Sequence, residues 1–147
     1  MTEESYLFHR LLKKDTRYPL AAYLFVREAL AFTADAMELG NDHGEQANDF
    51  QLELDGSQDQ HITGQQLCEG IRRYAINQFG YMAKVVLRNW NINSTSCFGD
   101  LVYNMIEIGV LKKSDDDSRA HFDDVYRFDE VFQIHFEVDD MLVQRRN

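Results

Sequence analysis

Five histidines, two cysteines and 25 carboxylates are the groups in this 147-residue sequence that could ligate metals or move protons, and their spacing decides whether any of them act together. His61, His121 and His135 stand far apart. No H-x-x-x-H, C-x-x-C or nucleophile-elbow pattern joins them to Cys68, Cys97 or a serine. An enzyme needs polar groups clustered so that their protonation is perturbed, such as a nucleophile beside a base. Only a cleft lined by Asp100, Asn104, Arg119 and His121 would supply that here. The run Asp115-Asp116-Asp117 with Asp123-Asp124 has the carboxylate density a calcium ion wants, but it lacks the glycine and terminal glutamate of an EF-hand loop and reads as a solvated turn. The two cysteines fall within helical patterns and read as buried free thiols. The expectation is a non-enzymatic protein with no catalytic residue, no metal and no cofactor.

The cations point to a different chemistry. The net charge is −10, yet residues 61–114 carry six basic and three acidic side chains, while 41–60 carry none and six and 115–147 carry four and ten. The basic set is Arg72, Arg73, Lys84, Arg88, Lys112 and Lys113. These residues define one reading, a nucleic-acid-associated transcriptional regulator whose binding collapses as salt rises. Against it stands the acidity of the whole chain, which opposes non-specific binding to phosphates. Cations that solvate helix faces are the plainer account.

Elements that would position these residues are clearest between Ile62 and Lys113. Thr63 and Gln66 form a capping box, Ile62 and Leu67 a hydrophobic staple, and Leu67, Ile71, Tyr74, Ala75 and Phe79 one buried stripe ended by Gly80. The first core helix is therefore Gly64–Phe79. A second, shorter helix turns Met82, Val85 and Val86 inward and Lys84 and Arg88 outward, stopping at Asn91-Ile92-Asn93. Ser94, Thr95 or Ser96 caps a third, with Phe98, Leu101, Val102, Met105 and Ile106 buried and Gly109 closing it. Val110–Lys113 then reads as a strand and Val125–Phe128 as its return strand across a charged turn. The competing pattern makes Asp123–Phe132 a further helix.

Outside the core, Glu3–Lys14 is a short amphipathic helix, and a long helix apolar on several faces runs from a cap at Asp15-Thr16, with Pro19 in its first turn, to Gly40. Residues 41–60 form an acidic connector with a brief strand pattern at Phe50–Leu54, and Ile134, Phe136 and Val138 alternate with polar residues as a C-terminal strand. The expected fold is one domain, mainly α with some β (α+β): N-terminal helices over 1–40, the connector over 41–60, a winged-helix-like core of three helices and a β-hairpin over 61–132, and a strand and tail over 133–147. No apolar run approaches the ~18 residues of a membrane-spanning helix, and Met1-Thr2-Glu3-Glu4 is acidic where a signal peptide is basic. The expectation is a cytoplasmic protein with no membrane partner.

The segments Asp15–Pro19 with Ala22–Val26, Gly64–Leu67 through Gly70–Arg72, Gln78-Phe79-Gly80 with Met82-Ala83, Phe98-Gly99-Asp100 with Asn104, and Asp117-Ser118-Arg119 through Phe122 and Val125-Tyr126 together resemble an uncharacterised protein family found mainly in planctomycetes and verrucomicrobia. The likeness runs from about Asp15 to Phe132. It implies a bacterial protein and carries over no functional residue, because that family has no established activity. The family often has proline after the Phe-Gly pair, where this chain has Tyr81.

A recognition helix in a major groove would present Ser96, Asp100, Tyr103, Asn104 and Glu107, with two carboxylates and no cation. That face suits a protein better than a phosphate backbone. Near the C-terminus, seven large apolar side chains between Tyr126 and Val138 exceed what one hairpin buries. The reading favoured by the sequence is a protein-interaction or regulatory module of winged-helix type. Its contacts to a partner or a second copy of the chain would run through Tyr103, Asn104, Glu107, Phe132, Ile134 and Phe136.

Overall fold

Helix α3, Gly64–Phe79, begins where its capping box places it: the Thr63 hydroxyl accepts from the Gln66 N–H at 2.9 Å, and the Gln66 side-chain Oε1 accepts from the Thr63 N–H at 2.9 Å. It ends at Gly80, whose φ of 57° a side chain would resist. This computed structural model describes residues 2–40, 52–54, 62–113 and 118–132. The other helices are α1 (Glu3–Lys14), α2 (Leu20–Gly40), α4 (Ala83–Asn89) and α5 (Thr95–Glu107), with a single turn α6 at Phe128–Val131, and α2, α4 and α5 pack on α3. The mainly helical class expected of the sequence is the class observed.

Helix α1 is capped by Thr2, whose hydroxyl accepts from the Ser5 N–H at 3.0 Å, and it buries Phe8 and Leu11. α2 buries Ala22, Tyr23, Phe25, Val26, Ala29, Leu30, Thr33 and Ala34, more than one face, because α3 and α5 both pack on it. Tyr74, Phe79 and Trp90 all pack on the Phe25 ring, with centroids 5.3–5.6 Å away, and so tie α2 to α3 and to the end of α4.

Two expectations fail here for physical reasons. Asp15 does not cap α2, which starts only after Pro19; its carboxylate is taken by Arg17 and Asn104 instead. The strand β2, Leu111–Lys113, does not form a hairpin with 125–128 but pairs antiparallel with β1, Leu52–Leu54, in the register Leu52↔Lys113 and Leu54↔Leu111. Residues 125–127 are irregular and lead into α6. Their polar and aromatic groups are drawn onto the helices: the Val125 N–H donates to the Thr95 hydroxyl at 3.2 Å, the Tyr126 hydroxyl donates to the Cys68 carbonyl at 2.7 Å, and Phe128 stacks on Phe98 and Phe132. Just before them the 3-10 turn Arg119–Phe122 presses onto α5, where a Cβ on Gly99 would stand 3.1 Å from that of Phe122. The C-terminal strand at Ile134–Val138 and all of the connector but β1 lie outside the described residues.

Candidate functional site

Three of the four polar residues singled out for chemistry come together in one network of hydrogen bonds and ion pairs. Asp100 projects from the first turns of α5 with its side chain 13% exposed. Its carboxylate accepts from the Tyr18 hydroxyl at 2.7 Å and from Arg17 Nη1 at 3.1 Å, and Arg119 Nη2 pairs with its other oxygen. Arg17 also grips Asp15 through Nε and Nη2, at 3.0 and 2.7 Å. One turn along α5, Asn104 donates to Asp15 Oδ2 at 2.9 Å and to the Tyr23 hydroxyl at 3.1 Å. The network is a clamp between α5, the segment entering α2 and the 3-10 turn at Arg119. His121, the remaining member of the expected set, packs instead against Gly64 at the start of α3.

Electrostatics agree with a clamp. The Arg17 guanidinium beside Asp15, helped by Asn104 and opposed by burial, holds the Asp15 carboxyl well below the usual carboxylate range. A depressed carboxyl stabilises the fold above its unfolded value, near pH ~3.9, and the contribution is lost as pH falls toward the folded value. The thermal midpoint is therefore expected to drop more steeply below about pH 5 in the wild type than in Asp15→Asn; parallel melting series at stepped pH check it. Equal slopes would show that Asp15 titrates alike in both states.

Cys68 is buried, and burial pushes its thiol up; Cys97 is only partly buried, and both are free. Burial opposes ionisation of Cys97, yet hydrogen bonds from the Asn93 backbone, Tyr18 and Ser94 hold its thiol below the usual value.

The residues proposed as protein contacts are dispersed by the same clamp. Asn104 is spent within it, Glu107 pairs with Lys14 at 2.9 Å, and Tyr103 is partly buried against the core. The N-terminal segment thus engages Asn104 and Glu107 on this face of α5, where Glu107 remains exposed. Phe132 is 2% exposed and belongs to the core, so it is no docking anchor. Ile134 and Phe136 lie outside the described residues. Of the cations, Arg72 and Arg73 reach Glu69 from α3, at 3.0 and 3.4 Å, and Lys84 pairs with Asp129. Arg88 is exposed on α4, and Lys112 and Lys113 on β2.

What the sequence misplaced is the outward face of α4. Met82 and Val85 were assigned to the buried side, but they are 45% and 50% exposed, and Tyr81 before them is 65% exposed. The buried pair is Ala83 and Leu87, four apart. The 3-10 turn Gly80–Met82 between the helices resets the phase, so the stripe of α3 cannot be continued into α4. Beside this face lies a cavity of about 350 Å³, lined in part by Lys84, Arg88, Asn93, Ser94, Arg127 and Asp129. Its charged groups come from segments some forty positions apart, which no local pattern connects.

Among the described residues no group of three His, Cys, Asp or Glu is placed to hold a metal ion, and no helix is long and apolar enough to cross a membrane. No protein-family model, curated protein or solved structure matches the chain.

Proposed function

We propose that the chain is a non-enzymatic protein-interaction module that receives an acidic, apolar segment of a partner protein across the outward face of α4. One observation carries this reading: Tyr81, Met82 and Val85 are exposed side by side, with Lys84 and Arg88 on the same short helix. A helix advances about 100° per residue, so Val85 and Arg88 stand within about 60° of each other and one bound segment can touch both. Contiguous exposed apolar surface marks partner contacts, and flanking cations select the charge of what binds. In this reading the core helices and the β1–β2 ribbon are a winged-helix-like frame that presents α4. A nucleic acid is the weaker partner, because Glu69 already neutralises Arg72 and Arg73 and the net charge of −10 repels a phosphate backbone.

Peptide display against the immobilised full chain tests the reading. Selected peptides are expected to carry acidic residues beside Leu, Phe or Trp, and Met82→Ser with Val85→Ser is expected to weaken the best of them about tenfold or more. Selected peptides without carboxylates, or affinities untouched by the double substitution, would overturn it. So would an oligonucleotide that binds more tightly than any peptide.

A further inference from the structure

The cavity beside α4 has a chemistry of its own. Lys84 and Arg88 enter it from α4, Arg127 from the segment before α6, and Asn93 and Ser94 from the turn that opens α5. Three cations face two carboxylates, Asp124 and Asp129, so the lining is positive on a chain whose net charge is −10. Guanidinium groups present paired N–H donors that match phosphate oxygens, and an ammonium adds a point charge. The volume is of the size that takes a small ligand rather than a bare ion.

One of the carboxylates shows where an anion sits. Asp129 accepts from Lys84 and lies in the field of Arg127 and Arg88. Its side chain is 65% exposed, which leaves it room to swing out. It occupies the place that the oxygens of a ligand would take.

We propose that this cavity binds a phosphate monoester, with Arg88 and Arg127 on the phosphoryl oxygens, Lys84 exchanging Asp129 for the ligand, and Asn93, Ser94 and Tyr126 around the group that carries the phosphate. The ester comes either as a free small molecule or as a phosphorylated side chain on the segment docked across α4. Binding involves no covalent step.

Calorimetric titration of the full chain with phenyl phosphate, and with a phosphoserine peptide beside its unmodified form, tests the proposal. Phenyl phosphate is expected to bind saturably, Arg88→Gln with Arg127→Gln to weaken it about tenfold or more, and Asp129→Asn to tighten it several-fold by removing the competing carboxylate. Lys112→Gln, away from the cavity, should change nothing. A phosphopeptide much tighter than phenyl phosphate, and weakened in turn by Met82→Ser with Val85→Ser, identifies the docked segment as the source. Comparable affinities, with no response to that pair, identify a free ester and leave the cavity standing even if the docking reading fails. No saturable binding of either probe, or binding indifferent to Arg88→Gln with Arg127→Gln, overturns the proposal, as does an Asp129→Asn chain that binds less well.

Discussion

Asp100→Ala is expected to cost about 3 kcal/mol of folding stability, most of it from one bond. The Tyr18 hydroxyl belongs to a residue only 4% exposed and donates to the Asp100 carboxylate at 2.7 Å. A hydrogen bond to a charged group contributes about 1.5–3 kcal/mol, and removing the acceptor leaves the hydroxyl only the weaker Cys97 sulfur. Arg17 and Arg119 add less, because their side chains are 51% and 52% exposed and pairs of that kind give about 0–1 kcal/mol each. Asp100→Asn keeps an acceptor for Tyr18 and should cost about a third as much. Urea unfolding of both variants, with Tyr18→Phe to complete a double-mutant cycle, measures the coupling. Should Asp100→Ala prove as stable as the wild type, the carboxylate is not what fastens the N-terminal segment to α5.

Gly70→Ala carries the second large effect, and its sign opposes helix propensity. In the middle of α3 the exchange would gain about 1 kcal/mol from propensity alone. The added Cβ, however, would fall 1.7 Å from Thr33 Oγ1 and 2.8 Å from Thr33 Cβ. Thr33 is 5% exposed, and its hydroxyl donates to the Ala29 carbonyl at 2.7 Å. Rotating the side chain can turn Oγ1 away but leaves Thr33 Cβ at 2.8 Å, so α2 and α3 must move apart. Overpacking of this kind costs about 3 kcal/mol, which leaves a net loss of about 2. Thr33→Ala removes the nearest atom but leaves the Cβ contact, so the double variant should recover part of the loss. Thermal melting shows the outcome, and a Gly70→Ala chain as stable as the wild type would mean that the helices do not approach this closely.

Much of this architecture is local and therefore legible. The Thr63–Gln66 box, the amphipathic stripe of α1 and the glycine after Phe79 each act within a few residues, and α1 and α3 fall where those signals put them. What could not be read is long-range. Asp100 lies 82 and 83 positions from Tyr18 and Arg17, so its polar neighbours look like solvated residues until the chain is folded. Asp15 looks like a helix cap because the type is right, but Arg17 two residues on and Asn104 across the fold take its carboxylate. The 125–128 stretch is rich in β-formers, yet hydrogen bonds to Thr95 and Cys68 and an aromatic cluster outweigh that preference. In α4 the error is one of phase, since a single 3-10 turn moves Met82 and Val85 from inside to outside.

The β1–β2 pairing also sets a timetable for synthesis. Leu52 is translated 61 residues ahead of its partner Lys113, an interval of about 3–12 s at roughly 5–20 residues per second. Through that interval β1 is an unpaired edge, open to the strands of other nascent chains. Glu53 stands at its centre, and residues 41–60 around it carry six acidic side chains and no basic one. Like charges on neighbouring copies repel across such an edge. The acidity around β1 then disfavours pairing between neighbouring copies until the strand's own partner has been made.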